Sequence, residues 1–168
     1  MTTPTKTQRK SVLWVGLSEK PVKKGEIFVP LSANTVSGKL IAEVEARCPA
    51  VQFHRTNLVK KAPLNAQGKL RYPTNAECLE HYPRLEAEIG SISPSAVLLL
   101  GKQVATQVLN QVSFTVVADA FSFNYQIIQC GGVCYAAIHH PSYISVYKRK
   151  EKEAYIRAIQ NLVEKCSF

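Results

Sequence analysis

The sequence predicts an α/β layered domain built around a mostly parallel sheet. Short apolar runs that stop at a glycine or a polar residue read as buried strands, and segments with a helical apolar stripe lie between them. Strands and helices alternate along the chain with no repeat, low-complexity stretch or interdomain linker. Strands joined through helices pack most simply as parallel neighbours with the helices on the sheet faces. At 168 residues, 46% of them hydrophobic, the chain suffices for one domain with a full core.

Residues 11–18 (SVLWVGLS) form the first strand, which enters a long loop at its glycine. That loop carries Glu19, Lys20, Lys23 and Lys24 before Ile27-Phe28-Val29-Pro30. A helix is expected from about Ser37, with Leu40, Ile41 and Val44 as its stripe and Pro49 as its stop. Residues 51–59 read as the next strand, with Asn57 near its carboxyl end. After a polar loop over 60–73, Thr74 or Asn75 caps a helix through about Ile89, and Pro83 within it predicts a kink or a break. Residues 95–100 (SAVLLL) are the clearest buried strand, and Gly101 turns it into a helix over 103–109. Two or three short strands are expected between Phe114 and Ile138, one hinging at Gly131-Gly132. A last helix over 150–165 has Tyr155, Ile159, Leu162 and Cys166 on one face.

The formal charge of +9 and the isoelectric point near 9.4 favour polyanionic partners, nucleic acid ahead of an anionic membrane surface. Solubility alone is the alternative; it suits scattered lysines better than the clusters at 20–24 and 148–152. No stretch reaches the ~20 uninterrupted apolar residues that span a bilayer, so no membrane partner is expected. Residues 1–10 read as a short disordered basic tail with no secretory character, and 11–168 as the single domain. Five widely spread cysteines fit reduced thiols in a cytoplasmic protein.

The densest chemistry lies at His139-His140-Pro141-Ser142-Tyr143-Ile144, followed by Lys148-Arg149-Lys150. A strand that ends in imidazoles, then a proline-fixed turn, then three cations sets acid–base groups beside an anion site. Pro141 presses His140 towards an extended backbone. Adjacent strand residues face opposite ways, so at most one of the two imidazoles points into a site. Ligands of parallel sheets gather at strand carboxyl ends. Gly16-Leu17-Ser18, Asn57, Gly101 and His140 all fall at such ends, which brings distant parts of the chain to one rim.

Taken in order, these pieces resemble the uracil-DNA glycosylase superfamily, most closely its small microbial branches. The resemblance covers most of the chain: Gly16-Leu17-Ser18, Pro30-Leu31-Ser32, Ser37-Gly38-Lys39-Leu40-Ile41, Thr56-Asn57-Leu58-Val59-Lys60, Cys78 in a helix, Leu99 to Ala105, and His140-Pro141-Ser142. Each piece is weak alone; their shared order at compatible spacings carries the likeness. It implies a three-layer α/β/α domain with a central, mostly parallel four-stranded sheet, and cleavage of the N-glycosidic bond of a base flipped out of DNA. By resemblance His140 is the catalytic donor to a base carbonyl on which charge develops; the plain alternative is a strand-end histidine satisfied by backbone. Asn57 reads the base through its carboxamide, or else caps a turn.

Gly16, Leu17, Ser18, Phe28 and Leu31 complete the implied base pocket. Related proteins place a stacking aromatic near Leu31, which leaves Phe28 or Phe53 as substitutes, each more often a core residue than a stacking platform. Ser142, Tyr143 and Ile144 resemble the loop that enters the minor groove, with Tyr143 or Ile144 as an apolar wedge or both packed under the last helix. Thr35, Ser37, Lys39, Gly101, Lys102, Lys148, Arg149 and Lys150 are the remaining implied DNA contacts. An ordinary N-cap explains Ser37 equally well. Cations at the start of the last helix oppose its dipole, which a phosphate partner would relieve; a solvated charge run is the competitor.

The sequence departs from the family in two places. One branch holds an iron–sulfur centre on four cysteines; here Cys78 matches one, Lys61 stands near another and no cysteine precedes Cys48, so no cluster, metal or other cofactor is expected. Cys130 and Cys134 match zinc spacing poorly and read as packed strand cysteines. In the first loop many members carry an acid or amide directly after the glycine to orient water, where this chain has Leu17; another branch has an acid where it has Thr35. Glu19 and Asn34 lie nearby as catalytic substitutes, with backbone groups as the alternative. The expected protein is a monomeric, monofunctional DNA glycosylase acting on uracil or a modified base, in single- or double-stranded DNA, for repair or for defence against phage. Leu17 and Thr35 also fit a non-catalytic DNA-binding or damage-sensing module. A hydrolase of free nucleotides or nucleosides, the third reading, needs neither wedge nor basic run.

Overall fold

Residues 10–109 and 123–166 are described in a computed structural model. The strands are β1 (Lys10–Ser18), β2 (Val51–Val59), β3 (Ala96–Leu100), β4 (Ile127–Cys130) and β5 (Val133–Ile138). Between and after them come α1 (Val36–Ala46), α2 (Asn75–Ile92), α3 (Lys102–Leu109), α4 (Pro141–Tyr147) and α5 (Lys152–Lys165). The sheet runs β2-β1-β3-β5-β4; the first four are parallel and β4 is antiparallel to β5. The sheet therefore has five strands among the described residues, one more than expected. The addition is an edge strand folded back through Gly131-Gly132, whose φ values of 59° and 80° suit a tight two-residue hairpin. Expected strand positions within 110–122, and the tail over 1–9, lie outside the described residues; Lys10, assigned to the tail, opens β1.

Both sheet faces are covered, which is why β1 and β3 read as unbroken apolar runs. On one side Trp14, Leu98 and Ile138 pack against Leu40 and Ile41 of α1, Ile144 of α4, and Tyr155 and Ile159 of α5. On the other, Leu13, Val15, Val97 and Leu99 meet Cys78, Leu85 and Ile89 of α2 and Val104 and Ala105 of α3. At about 1.5–3 kcal/mol per fully buried large side chain, these two layers supply the main favourable term.

Three local expectations change. α2 continues through Pro83 without a break. Both Pro83 and Leu79, whose carbonyl loses the Pro83 N–H as its partner, lie on the exposed face of the helix, where the lost bond costs least. Its start is held by a reciprocal cap: the Thr74 hydroxyl accepts from the Glu77 N–H at 3.2 Å, and the Thr74 N–H donates to the Glu77 carboxylate at 3.1 Å. α1 starts near Ser37 as expected, but its cap is Thr35, whose hydroxyl accepts from the Gly38 N–H at 3.0 Å; Ser37, offered as an N-cap, lies inside the first turn.

The third change concerns Ser142-Tyr143-Ile144, which belongs to helix α4 instead of a loop. Pro141 occupies its first turn and His140 caps it. Ile144 is completely buried among α1 and α5 side chains, so it is not available as a wedge in DNA. Lys148, Arg149 and Lys150 follow the carboxyl end of α4, where cations complement the dipole, and α5 starts only at Lys152. The helix-dipole reason for a phosphate there lapses. Ile144→Ala is expected to lower the unfolding free energy by about 2–5 kcal/mol in urea titrations, with the half-exposed Tyr143→Ala far milder.

Candidate active site

Four strand ends meet at one rim. Gly16 of β1 lies opposite Asn57 of β2 in the parallel register, and Leu100 of β3 lies opposite Ile138 of β5. The Gly101 N–H donates to the Ile138 carbonyl at 2.9 Å, and its φ of +96° lets β3 turn directly into α3. Above this rim opens a cleft of about 1020 Å³. Gly16, Leu17, Ser18, Phe28, Leu31, Thr35, Ser37, Asn57, Gly101, Lys102, His140 and Ser142 all line it.

Asn57 is 3% exposed and lies against Gly16. A Cβ on residue 16 would fall 2.5 Å from Asn57 Oδ1, so only glycine lets the carboxamide occupy this place. Asn57 Nδ2 is buried and has no hydrogen-bond partner among the described residues. Leaving such a donor unmade costs roughly 1–3 kcal/mol. An oxygen acceptor on a bound group that reached this nitrogen would remove that cost. From behind, Lys60 Nζ donates to Thr56 Oγ1 at 2.6 Å and to the Asn57 carbonyl, and pairs with Glu88.

His140 is fixed just as firmly. Its Nδ1 accepts from the Ser142 N–H at 3.2 Å and lies 2.7 Å from the Ser142 hydroxyl. With Nδ1 accepting from the backbone, a neutral ring must carry its proton on Nε2. Burial, assisted by the Lys20 ammonium, pushes the imidazole down to about 4, so it is neutral at physiological pH. His139 turns elsewhere, with its Nδ1 2.7 Å from the Tyr125 hydroxyl and its carbonyl accepting from Tyr155 at 2.8 Å.

A neutral imidazole donor and an open amide donor thus share a cleft lined by Lys20, Arg71 and Lys102 and by no carboxylate among the described residues. That combination stabilises negative charge forming on a bound group. The model of the uracil DNA glycosylase superfamily matches residues 8–163. The chain belongs to this superfamily. Membership supports a DNA-glycosylase type of function, with DNA as the partner. No curated protein matches the chain.

The superfamily's rim is completed here by residues that sequence reasoning passed over. Leu31 takes the place near which relatives hold an aromatic, and it adopts φ 51°, strained for a branched residue. Arg55 holds it there: Nη1 donates to the Leu31 carbonyl at 2.7 Å, while Nε and Nη2 grip Glu45 at 3.0 and 2.9 Å. This fork-shaped pairing is tertiary, between a helix and a strand, and leaves no signal in sequence spacing. Arg71 and Tyr72 reach the cleft from the 60–73 loop, which Asn65 folds back through its side-chain oxygen onto the N–H groups of Gln67 and Lys69. Arg71 also binds Glu77 at 2.7 Å, which draws that carboxyl down to about 2.

Other expected site residues stand apart from the cleft. Glu19 faces a separate pocket of about 360 Å³ that it shares with Asn57, Lys60 and Glu88. Asn34 is exposed and its N–H donates to Ser32 Oγ at 3.2 Å; neither it nor Glu19 lines the space beside His140. Lys39 is exposed on α1, and Tyr143, Lys148, Arg149 and Lys150 lie on the outer surface beyond His140. Of the aromatic substitutes, Phe28 lines the cleft, whereas Phe53 packs on Trp14 at 6.1 Å. Cys130 is exposed and not packed as expected.

Two outcomes follow from the geometry. NMR titration of His140 should give a midpoint near about 4, with no step at the ordinary value of about 6.5. Since the unfolded chain takes up this proton first, the group's contribution to stability is intact above about pH 6.5 and is lost as pH falls through about 4. Gly16→Ala should keep the fold but swing the Asn57 carboxamide out of place, visible in a structure of the variant, and lower any base release about a hundredfold.

Proposed function

We propose that this chain is a monofunctional DNA glycosylase that hydrolyses the N-glycosidic bond of uracil or a modified base extruded from DNA. The observation that carries the reading is the pairing of two committed donors, His140 Nε2–H and Asn57 Nδ2–H, in one cation-lined cleft. As the bond between C1′ and the base nitrogen breaks, its electron pair leaves with the base and charge accumulates on a ring carbonyl oxygen. His140 donates to that oxygen without transferring its proton, and Lys20 adds a favourable field. Asn57 reads the base edge through its amide. Water adds its hydroxyl to C1′, and its proton goes to solvent or to the departed base.

The water is the weaker half of this chemistry. Leu17 lines the cleft where relatives hold an acid or amide, and Glu19 and Asn34 lie outside it. A general base contributes about 10²–10⁴ in rate, and none lines the cleft among the described residues, so the reading rests on leaving-group stabilisation. The same observation favours the second reading, a damage-sensing module that binds without cleaving.

Base release from oligonucleotides containing uracil, hypoxanthine or hydroxymethylated and glycosylated pyrimidines separates the two. Abasic product is expected from at least one substrate, with His140→Ala slowing it about 10²–10³-fold while DNA binding persists. Salt-dependent binding without abasic product from any substrate would leave the binding module in place of the enzyme.

A further inference from the structure

Beyond the cleft, α4 carries a row of rings. We propose that His139, Tyr143 and Tyr147 form an aromatic column whose open end, Tyr147, stacks an unpaired base flanking the one in the cleft, and that single-stranded DNA is the preferred substrate. The proposal takes the base-binding cleft described above as given and concerns the strand around it.

The column is built from the helix outward. His139 and Tyr143 have ring centroids 5.7 Å apart and nearly parallel, at 13°. Tyr143 and Tyr147, spaced i to i+4, follow at 5.6 Å and 42°. The inner end is rooted: His139 meets Phe123 edge-on at 5.3 Å and is held by the Tyr125 hydroxyl. The outer end is open, with Tyr147 74% exposed and Val146 beside it 54% exposed. Ile144 and Pro141 supply the buried face of the same helix, so the tyrosines are not needed to anchor it.

Position and charge favour a nucleic-acid strand as the occupant. His140 and Ser142 line the cleft at the start of α4, and Tyr147 lies seven residues along, on the order of 10 Å. That distance corresponds to about three nucleotide steps at ~3.4 Å each. Lys148, Arg149 and Lys150 follow Tyr147 directly and are all exposed, placing cations where phosphates of such a strand would run. Any base offers a π-face to an aromatic ring once it is unpaired, and stacking of this kind tolerates all sequences. Within a duplex those faces are covered by neighbouring bases. A duplex reader needs instead a side chain free to project between base pairs; Ile144 is buried, and Tyr143 is held between two rings.

Fluorescence anisotropy with an undamaged labelled oligonucleotide, single-stranded and as a duplex, tests this without any base excision. Wild-type protein should bind the single strand more tightly. Tyr147→Ala should weaken single-strand binding about tenfold with under about twofold change for the duplex, and Tyr147→Phe should retain both. The oligonucleotide holds no excisable base, so binding by the wild-type protein and Tyr147→Ala reports on the column whether or not base release is seen, and a failed glycosylase assay and a failed column are told apart. Unchanged single-strand binding in Tyr147→Ala, or equal losses on both substrates, overturns the proposal.

Discussion

The contact on which the site depends is the seating of the Asn57 carboxamide on Gly16. Parallel pairing of β1 and β2 sets these residues opposite each other, and the missing Cβ leaves the space that the amide fills. A one-residue shift of register would turn Asn57 to the other sheet face and close the space with a side chain. Asn57 lines the cleft with its amide nitrogen buried and unpaired among the described residues, and Lys60 holds its backbone carbonyl from behind. Stability is given up there, and a rigid donor is obtained. The strained Leu31, clamped by Arg55 and Glu45, follows the same pattern on the facing wall. Both are local costs sustained by the buried layers beneath the rim.

Electrostatics select what such a rim can do. In a cleft lined by cations and free of carboxylates among the described residues, a protonated imidazole would meet repulsion as well as desolvation. His140 is accordingly neutral, and the backbone of α4 commits its Nδ1. A neutral donor gains strength as an oxygen becomes anionic and contributes less to the uncharged ground state, which is the differential that catalysis requires. The same field disfavours proton abstraction from water, since among the described residues no carboxylate lines the cleft beside His140. Leaving-group stabilisation and water activation are therefore unequally provided.

Legibility followed how local each determinant is. β1 and β3 were readable because burial on both faces makes them continuous apolar runs, and Pro141 made the direction of His140 readable. Asn57 and Gly101 were readable from their places at strand ends. α4 was not: its seven residues hold too few apolar positions for a helical period, and only the packing of Ile144 against α1 and α5 reveals it. β4 was under-specified because an edge strand with one face open carries little pattern. Arg55, Glu45 and Arg71 act through partners brought close only by the fold, so nothing in their spacing marked them. Glu19 and Asn34 show the converse, since nearness in sequence to the first loop did not bring either into the cleft.

The buried Ile144 and the exposed tyrosines beside it are two consequences of one helix. His139-His140 follow β5 directly and turn their imidazoles to different partners, and Pro141 starts a helix at once. Ser142 then closes on His140, fixing its tautomer, while Ile144 plugs the core. With those positions spent inward, the i and i+4 neighbours Tyr143 and Tyr147 must face out, in line with the ring of His139. The geometry that orients the His140 donor therefore also extends an aromatic surface away from it. A change that reorients α4 would disturb both, whereas truncating Tyr147 at its exposed end touches only the surface.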